Sequence, residues 1–175
     1  MNKYLNTLIT DPSFVGSLIG SLITGTVAVI ILGIQIRDKN KTIRSEENKK
    51  FVIAVELIKT HIHYTLLQID DILKTDGNNV SSLVLTLDKH LIDTNKLVHE
   101  VDITTIKDSV FKEFQMVREC IKSLNDLTHE LISDQSNDII LDESDLDYIS
   151  NIYQKLESAN KILINEAEKS KEKIK

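Results

Sequence analysis

Five histidines, one cysteine and several acidic pairs are the residues of this 175-residue chain whose types could carry chemistry. His61 and His63 flank Ile62, so on a helix they face different ways and cannot readily share a metal. His90 stands three residues before Asp93, and Asp126 three before His129. That spacing puts an imidazole and a carboxylate on one helix face, the start of a metal site. A dinuclear iron site in a helical bundle asks for more: Glu-x-x-His on each of two helices and glutamates from two others. That motif is absent, and solvated or half-buried histidines are the plainer reading. A lone Cys120 can form neither an internal disulfide nor a zinc cluster. A nucleophilic thiol would need a histidine beside it, whereas Cys120 adjoins the apolar Ile121 and reads as a small packed residue.

Asp70-Asp71 and Asp142-Glu143-Ser144-Asp145 could attract divalent cations. The second run lacks calcium-loop spacing and suits a helix start, where the dipole favours negative charge. There is no phosphate-cradling glycine loop, no Gly-x-Ser-x-Gly and no His-Glu-x-x-His. No catalytic, cofactor-binding or metal-ligating residue is therefore assigned, and the chain is expected not to be an enzyme.

The elements that would position these residues begin with an apolar stretch. No charge lies between Asp11 and Arg37. About 25 residues make a helix of roughly 37 Å, against roughly 30 Å of membrane hydrocarbon. A cleaved signal peptide would have a shorter apolar run and a small-residue exit. An amphipathic surface helix would need a charged face. The spacing therefore predicts a single membrane-spanning helix over 12–36, with Asp11 as N-cap and Pro12 in the first turn.

Gly16, Gly20, Thr24 and Ala28 recur every four residues, and so do Ser13, Ser17, Ser21 and Gly25. The two rows lie side by side on a helix, opposite Leu18, Ile19, Leu22 and Ile23. Lipid gives no hydrophobic drive between helices, so close backbone approach matters, and Gly-x-x-x-Gly flanked by Ser and Thr allows it. Gly16, Ser17, Gly20, Ser21, Thr24 and Gly25 are the expected helix-packing residues, for self-association or for another membrane protein. After the span come Arg37, Lys39, Lys41 and Arg44, then Lys49 and Lys50. This basic cluster predicts a cytoplasmic C-terminal side, with residues 1–11 outside, and a headgroup contact of about 1 kcal/mol per charge. The linker 37–50 could continue the helix or form a hinge.

Residues 51–175 read as a cytoplasmic, antiparallel, coiled-coil-like bundle of about four helices, so the fold class is all-α. Phe51, Val55, Ile58, Ile62, Leu66, Ile69 and Leu73 mark the first helix, with Val52, Leu57 and Leu67 widening its stripe and Gly77 ending it. Leu83, Val84, Leu87, Leu91 and Val98 mark the second, interrupted by Asn95. Thr105-Ile106-Lys107-Asp108 is placed as a capping box for the third, whose Val110, Phe114, Val117, Ile121, Leu124 and Leu131 keep a heptad with Thr128 as the polar exception. Ser144 and Asp147 are expected to cap a fourth helix carrying Leu146, Ile149, Tyr153, Leu156, Leu163 and Ala167. The charged end, 166–175, is expected to be solvated or frayed. A second arrangement, with helices pairing as hairpins between two chains, fits the same heptads.

In 51–175, 14 Lys and Arg stand against 23 Asp and Glu. Phosphate backbones need clustered positive charge, so nucleic acid is not an expected partner. The expected partners are the lipid bilayer and a membrane protein. The functional expectation is a membrane-anchored adaptor, regulator or exclusion-type factor at a bacterial inner membrane. One alternative is a sensor holding a small ligand, with Asn95 and Thr128 lining the pocket. The other is an oligomeric membrane-disrupting protein.

Overall fold

Pro12 opens a helix that runs unbroken to Lys74 (α1). In this computed structural model, which describes residues 12–75, 80–134 and 139–174, the remaining elements are α2 (Val80–Glu100), two 3-10 turns (Ile103–Thr105 and Asp108–Val110), α3 (Phe111–Asp134) and α4 (Glu143–Glu172). No strand occurs among the described residues. The backbone is helical throughout 37–50. Asp11 and Gly77, placed as helix cap and stop, lie outside the described residues.

Contacts divide the chain into two compact units, Met1–Ser45 and Glu46–Lys175. In the first, the described side chains of α1 from Pro12 to Arg44 are exposed, and a methyl group added at its glycines would meet nothing within 4 Å. One helix, α1, is long and apolar enough over its N-terminal part to cross a membrane.

The second unit is an antiparallel four-helix bundle around one apolar core. Phe51, Ile58 and Ile62 of α1, Leu87 and Leu91 of α2, Phe114, Ile121 and Leu124 of α3, and Leu156 and Leu163 of α4 are all fully buried. The heptad read in α3 is buried along its whole length, Thr128 included. Each helix contributes one stripe, which is why short connections suffice to close the bundle.

Five local expectations are corrected. Leu57 and Leu67 do not widen the buried stripe of α1; both are exposed, and Ala54, Thr65 and Ile72 take the core positions. The polar residue within the α2 stripe is Thr94, fully buried, while Asn95 sits half-buried beside it. The alternation Leu87, Leu91, Thr94, Val98 explains this: steps of four, three and four stay on one face, and Asn95 falls off it. Thr105 to Asp108 form no capping box. Asp102 instead caps the first 3-10 turn, accepting from the Thr104 N–H at 2.9 Å, and α3 starts only at Phe111. At α4 the cap is Asp142, not Ser144: it accepts from the Asp145 N–H at 2.8 Å while Asp145 accepts from the Asp142 N–H at 3.2 Å. Asp142 is held below the usual carboxylate range by that Asp145 N–H and by the Ser144 hydroxyl.

The fifth correction concerns the charged end, whose Glu168, Lys169, Lys171 and Glu172 are solvated as expected but which is not frayed. It stays helical to Glu172, and Ala167 and Ser170 are buried. Lys107, on the connection before α3, donates to Ser170 Oγ at 2.6 Å and lies 3.4 Å from Glu166 Oε1. The same ammonium stands 5.3 Å from the Phe51 ring centre, a cation–π contact. Lys171 donates to Glu56 at 2.6 Å and holds that carboxyl below its usual range. At the other end, the Ile139 N–H donates to Ser81 Oγ at 2.9 Å. Ile139 is thereby buried, whereas Ile140 is exposed.

Candidate interaction surfaces

In the apolar part of α1, a methyl group added at Gly16, Gly20, Gly25 or Gly33 would meet nothing within 4 Å. The chain's own fold therefore does not ask for glycine at these positions. Ser17, Ser21 and Thr24 are exposed on the same helix. Thr24 donates to the Gly20 carbonyl at 2.8 Å, and Thr26 to the Leu22 carbonyl at 2.8 Å. Such back-bonding hides the hydroxyl proton from an apolar surrounding and leaves the oxygen able to accept a second bond. All the expected helix-packing residues are thus on a continuous helix with accessible backbone. Arg37, Lys39, Lys41 and Arg44 follow on that helix, all exposed.

Inside the bundle, polar groups gather in two places, where residues that the sequence pairs within single helices take partners from another helix instead. Between α1 and α2, the His61 and His90 rings stack at 5.5 Å with 9° between their planes. His90 Nε2 lies 3.0 Å from the His61 carbonyl oxygen, which requires the protonated Nε2 tautomer as donor. Thr94 donates to the His90 carbonyl at 2.9 Å, and its oxygen lies 3.2 Å from His90 Nε2. Tyr64 meets the His90 ring edge-on at 6.2 Å. His63 lies on the exposed side, as the reading of His61 and His63 required.

Between α2 and α3, Thr128 donates to Asp88 at 2.9 Å, and His129 Nδ1 stands 3.9 Å from the same carboxylate oxygen. So His129 approaches Asp88 across the helix interface. Asp126 is exposed, as is Asp93 beyond His90. Asn95 and Asn125 carry inward side-chain oxygens with no hydrogen-bond partner among the described residues. Asn95 and Thr128, proposed as joint pocket residues, belong to this packed α2–α3 region, where Thr128 serves Asp88. No group of three or more metal-ligating residues occurs among the described residues. Cys120 is buried, and burial pushes its thiol up.

Three of the clefts formed by the described residues lie on the bundle surface. One of about 530 Å³ is polar, lined by Glu47, Lys50, Asp102, Thr105, Lys107 and Asp108 among others. Another of about 420 Å³ is apolar at its floor, with Ile53, Ala54, Leu57 and Val101. The third, about 370 Å³, lies over the stacked histidines, between Thr60, His61, Tyr64, Gln68 and His90. The last two follow the same α1–α2 groove. The signal that could have revealed this side is the apolar residue set Ile53, Leu57, Tyr64 and Leu67, which keeps its own helical spacing outside the core.

Compared with known protein families, with curated proteins and with solved structures, the chain matches none.

Proposed function

We propose that this chain is a non-enzymatic, single-pass membrane protein that recognises another protein, acting as an adaptor, regulator or exclusion-type factor at a bacterial inner membrane. The observation that carries the reading is the run of glycines in α1 that have room for a side chain yet lack one. In a membrane helix, small residues in register let a second helix approach closely. The basic cluster at Arg37, Lys39, Lys41 and Arg44 favours a cytoplasmic bundle and an outside N-terminus. The bundle, with its core closed by its own four helices, offers an acidic, folded surface to a cytoplasmic partner.

The test is gentle detergent extraction of the tagged protein from native membranes, with companions identified by mass spectrometry beside a Gly16→Ile/Gly20→Ile variant. A companion lost in the variant places recognition in the membrane seam. A companion retained places it on the bundle. If neither form brings back a companion other than itself, the adaptor reading fails.

A second reading, a membrane-bound ligand sensor, draws on the cleft over His61 and His90. Gln68 there has a side-chain oxygen without a partner among the described residues, an acceptor a polar ligand could use. Calorimetric screening of the wild type against Gln68→Leu tests it, and equal responses from both discard it.

A further inference from the structure

The bundle carries a second seam that its own core does not use. On α1, Ile53, Leu57, Thr60, Tyr64 and Leu67 are spaced by four, three, four and three residues, and all are exposed. Ile53 is 67% exposed and Tyr64 54%, at positions where a solvated helix would carry charge. Spacing of this kind is the signature of a helix packed against another helix along its length.

We infer that this stripe is covered by the same stripe of a second copy, α1 against α1 in a parallel, in-register pair. The inference rests on the membrane-anchored reading above, because two copies held in one bilayer meet side by side and set like residue against like. The charges agree with that arrangement. By register, the flanking Glu56, which is bonded to Lys171 of its own bundle, falls opposite position 61 of the second copy, and His63 opposite position 68, so no like-charged carboxylates or ammoniums oppose each other. At the two ends the same spacing reaches Lys50 and Asp71. There, in-register pairing would set like charge on like, which confines the seam to 53–67. The two clefts along the α1–α2 groove lie beside Leu57 and Tyr64, giving the opposing side chains places to enter.

Area decides how strong this contact is. Four large side chains exposing about half to two-thirds of their surface offer on the order of 100 Å² each, so both copies together bury about 800 Å², under the roughly 1,200 Å² where standard interfaces begin. The seam is too small to hold two free chains together. Tethering in one membrane raises the effective concentration and makes a weak contact sufficient. The pair is therefore expected in membranes and not after dilution in detergent.

The experiment is disulfide trapping of the full chain in native membranes under a mild oxidant, in a Cys120→Ala background. Thr60→Cys is at the seam; Thr86→Cys, exposed on α2, is the control. The expected result is a disulfide-linked homodimer for Thr60→Cys, at least about five-fold above the control. Adding Leu57→Lys, an exposed seam position outside the bundle's core cluster, should abolish the excess. Trapping of Thr60→Cys no better than the control overturns the seam, as does an adduct whose mass shows a different protein. Alkaline extraction of the same membranes separates the two readings. A chain that stays in the membrane without a trapped dimer sinks the seam alone. A chain released as soluble protein sinks the anchored reading and the tethered dimer with it.

Discussion

Thr128 of α3 donates its hydroxyl proton to the Asp88 carboxylate of α2 at 2.9 Å, with both residues almost sealed from water. A hydroxyl and a carboxylate placed this way stabilise the bundle only as a pair. Thr128→Val keeps the shape and removes the donor, so the carboxylate loses its internal partner. The expected cost is about 1–3 kcal/mol in urea unfolding. Asp88→Leu together with Thr128→Val leaves no orphan and should recover most of that loss. A cycle in which the double variant is worse than the sum of the singles would remove the pair from the account of the core.

The Lys107 contacts predict a local effect rather than a global one. Its ammonium joins Ser170 and Glu166 of α4 to the Phe51 ring of α1. Lys107→Met keeps the chain's apolar stem but removes the donor and the charge. Charge-assisted hydrogen bonds are worth about 1.5–3 kcal/mol when sealed, and this one is partly exposed, so about 1 kcal/mol is expected. Hydrogen exchange should rise in 163–172 first, with α2 and α3 protected as before. Unchanged protection in that segment would mean that the helix end is held by apolar packing alone.

These two cases show what the sequence makes legible. The heptad of α3 was readable because Phe114, Val117, Ile121 and Leu124 are large, apolar and flanked by polar residues. The first bundle helix was harder. Ile53, Leu57 and Leu67 are as apolar as the core residues, so periodicity alone does not separate the buried stripe from the one facing out. Thr94 and Ser170 were missed for the opposite reason. They are buried polar residues whose hydroxyls bond the preceding turn, to the His90 and Glu166 carbonyls, and apolar patterning passes over such residues. Asp102, Asp142 and Ser144 all have side chains suited to capping, so the sequence alone places the caps a few residues off. Only backbone geometry selects among them. The stacking of His61 on His90 joins residues 29 apart in the chain, which no local spacing reveals.

Acid should destabilise the bundle through its carboxylates. Glu56 is lowered chiefly by its bond to Lys171, Asp102 by the Thr104 N–H and Asp142 by the Asp145 N–H. A carboxyl lowered in the folded state adds stability that is present above its unfolded value, about 4, and lost as pH falls through the folded value. Thermal midpoints should fall as pH drops below about 4. Asp142→Asn keeps the cap acceptor without the ionisation, so its midpoint should depend less on pH across that window. An Asn variant with the parent's pH profile would show that the cap does not contribute to the acid response.

Cys120 should behave as a buried thiol. Desolvation favours its protonated form, and reagents attack the thiolate. Alkylation in the native protein is expected to be slow and to accelerate in step with urea unfolding. Cys120→Ala should leave the fold intact at a small cost in packing, whereas Cys120→Ser places a hydroxyl in an apolar site and should cost more. Fast labelling under native conditions would mean that the α3–α4 face opens readily.

The basic cluster supplies a test of orientation that is independent of any partner. Orientation follows the excess of Lys and Arg near the ends of the span, and Arg37, Lys39, Lys41 and Arg44 dominate that excess. Replacing all four by Gln leaves Lys49 and Lys50 farther from the span, while Lys3 then acts as a competing charge on the other side. A fraction of molecules should invert, seen as protease cleavage of the bundle from outside spheroplasts, whose outer membrane has been opened. The wild type should be protected and the Gln variant partly cleaved, with membrane attachment unchanged in both, because the apolar length of α1 is unaltered. Cleavage of the wild-type bundle from outside would reverse the proposed topology and move the partner search to the other side of the membrane.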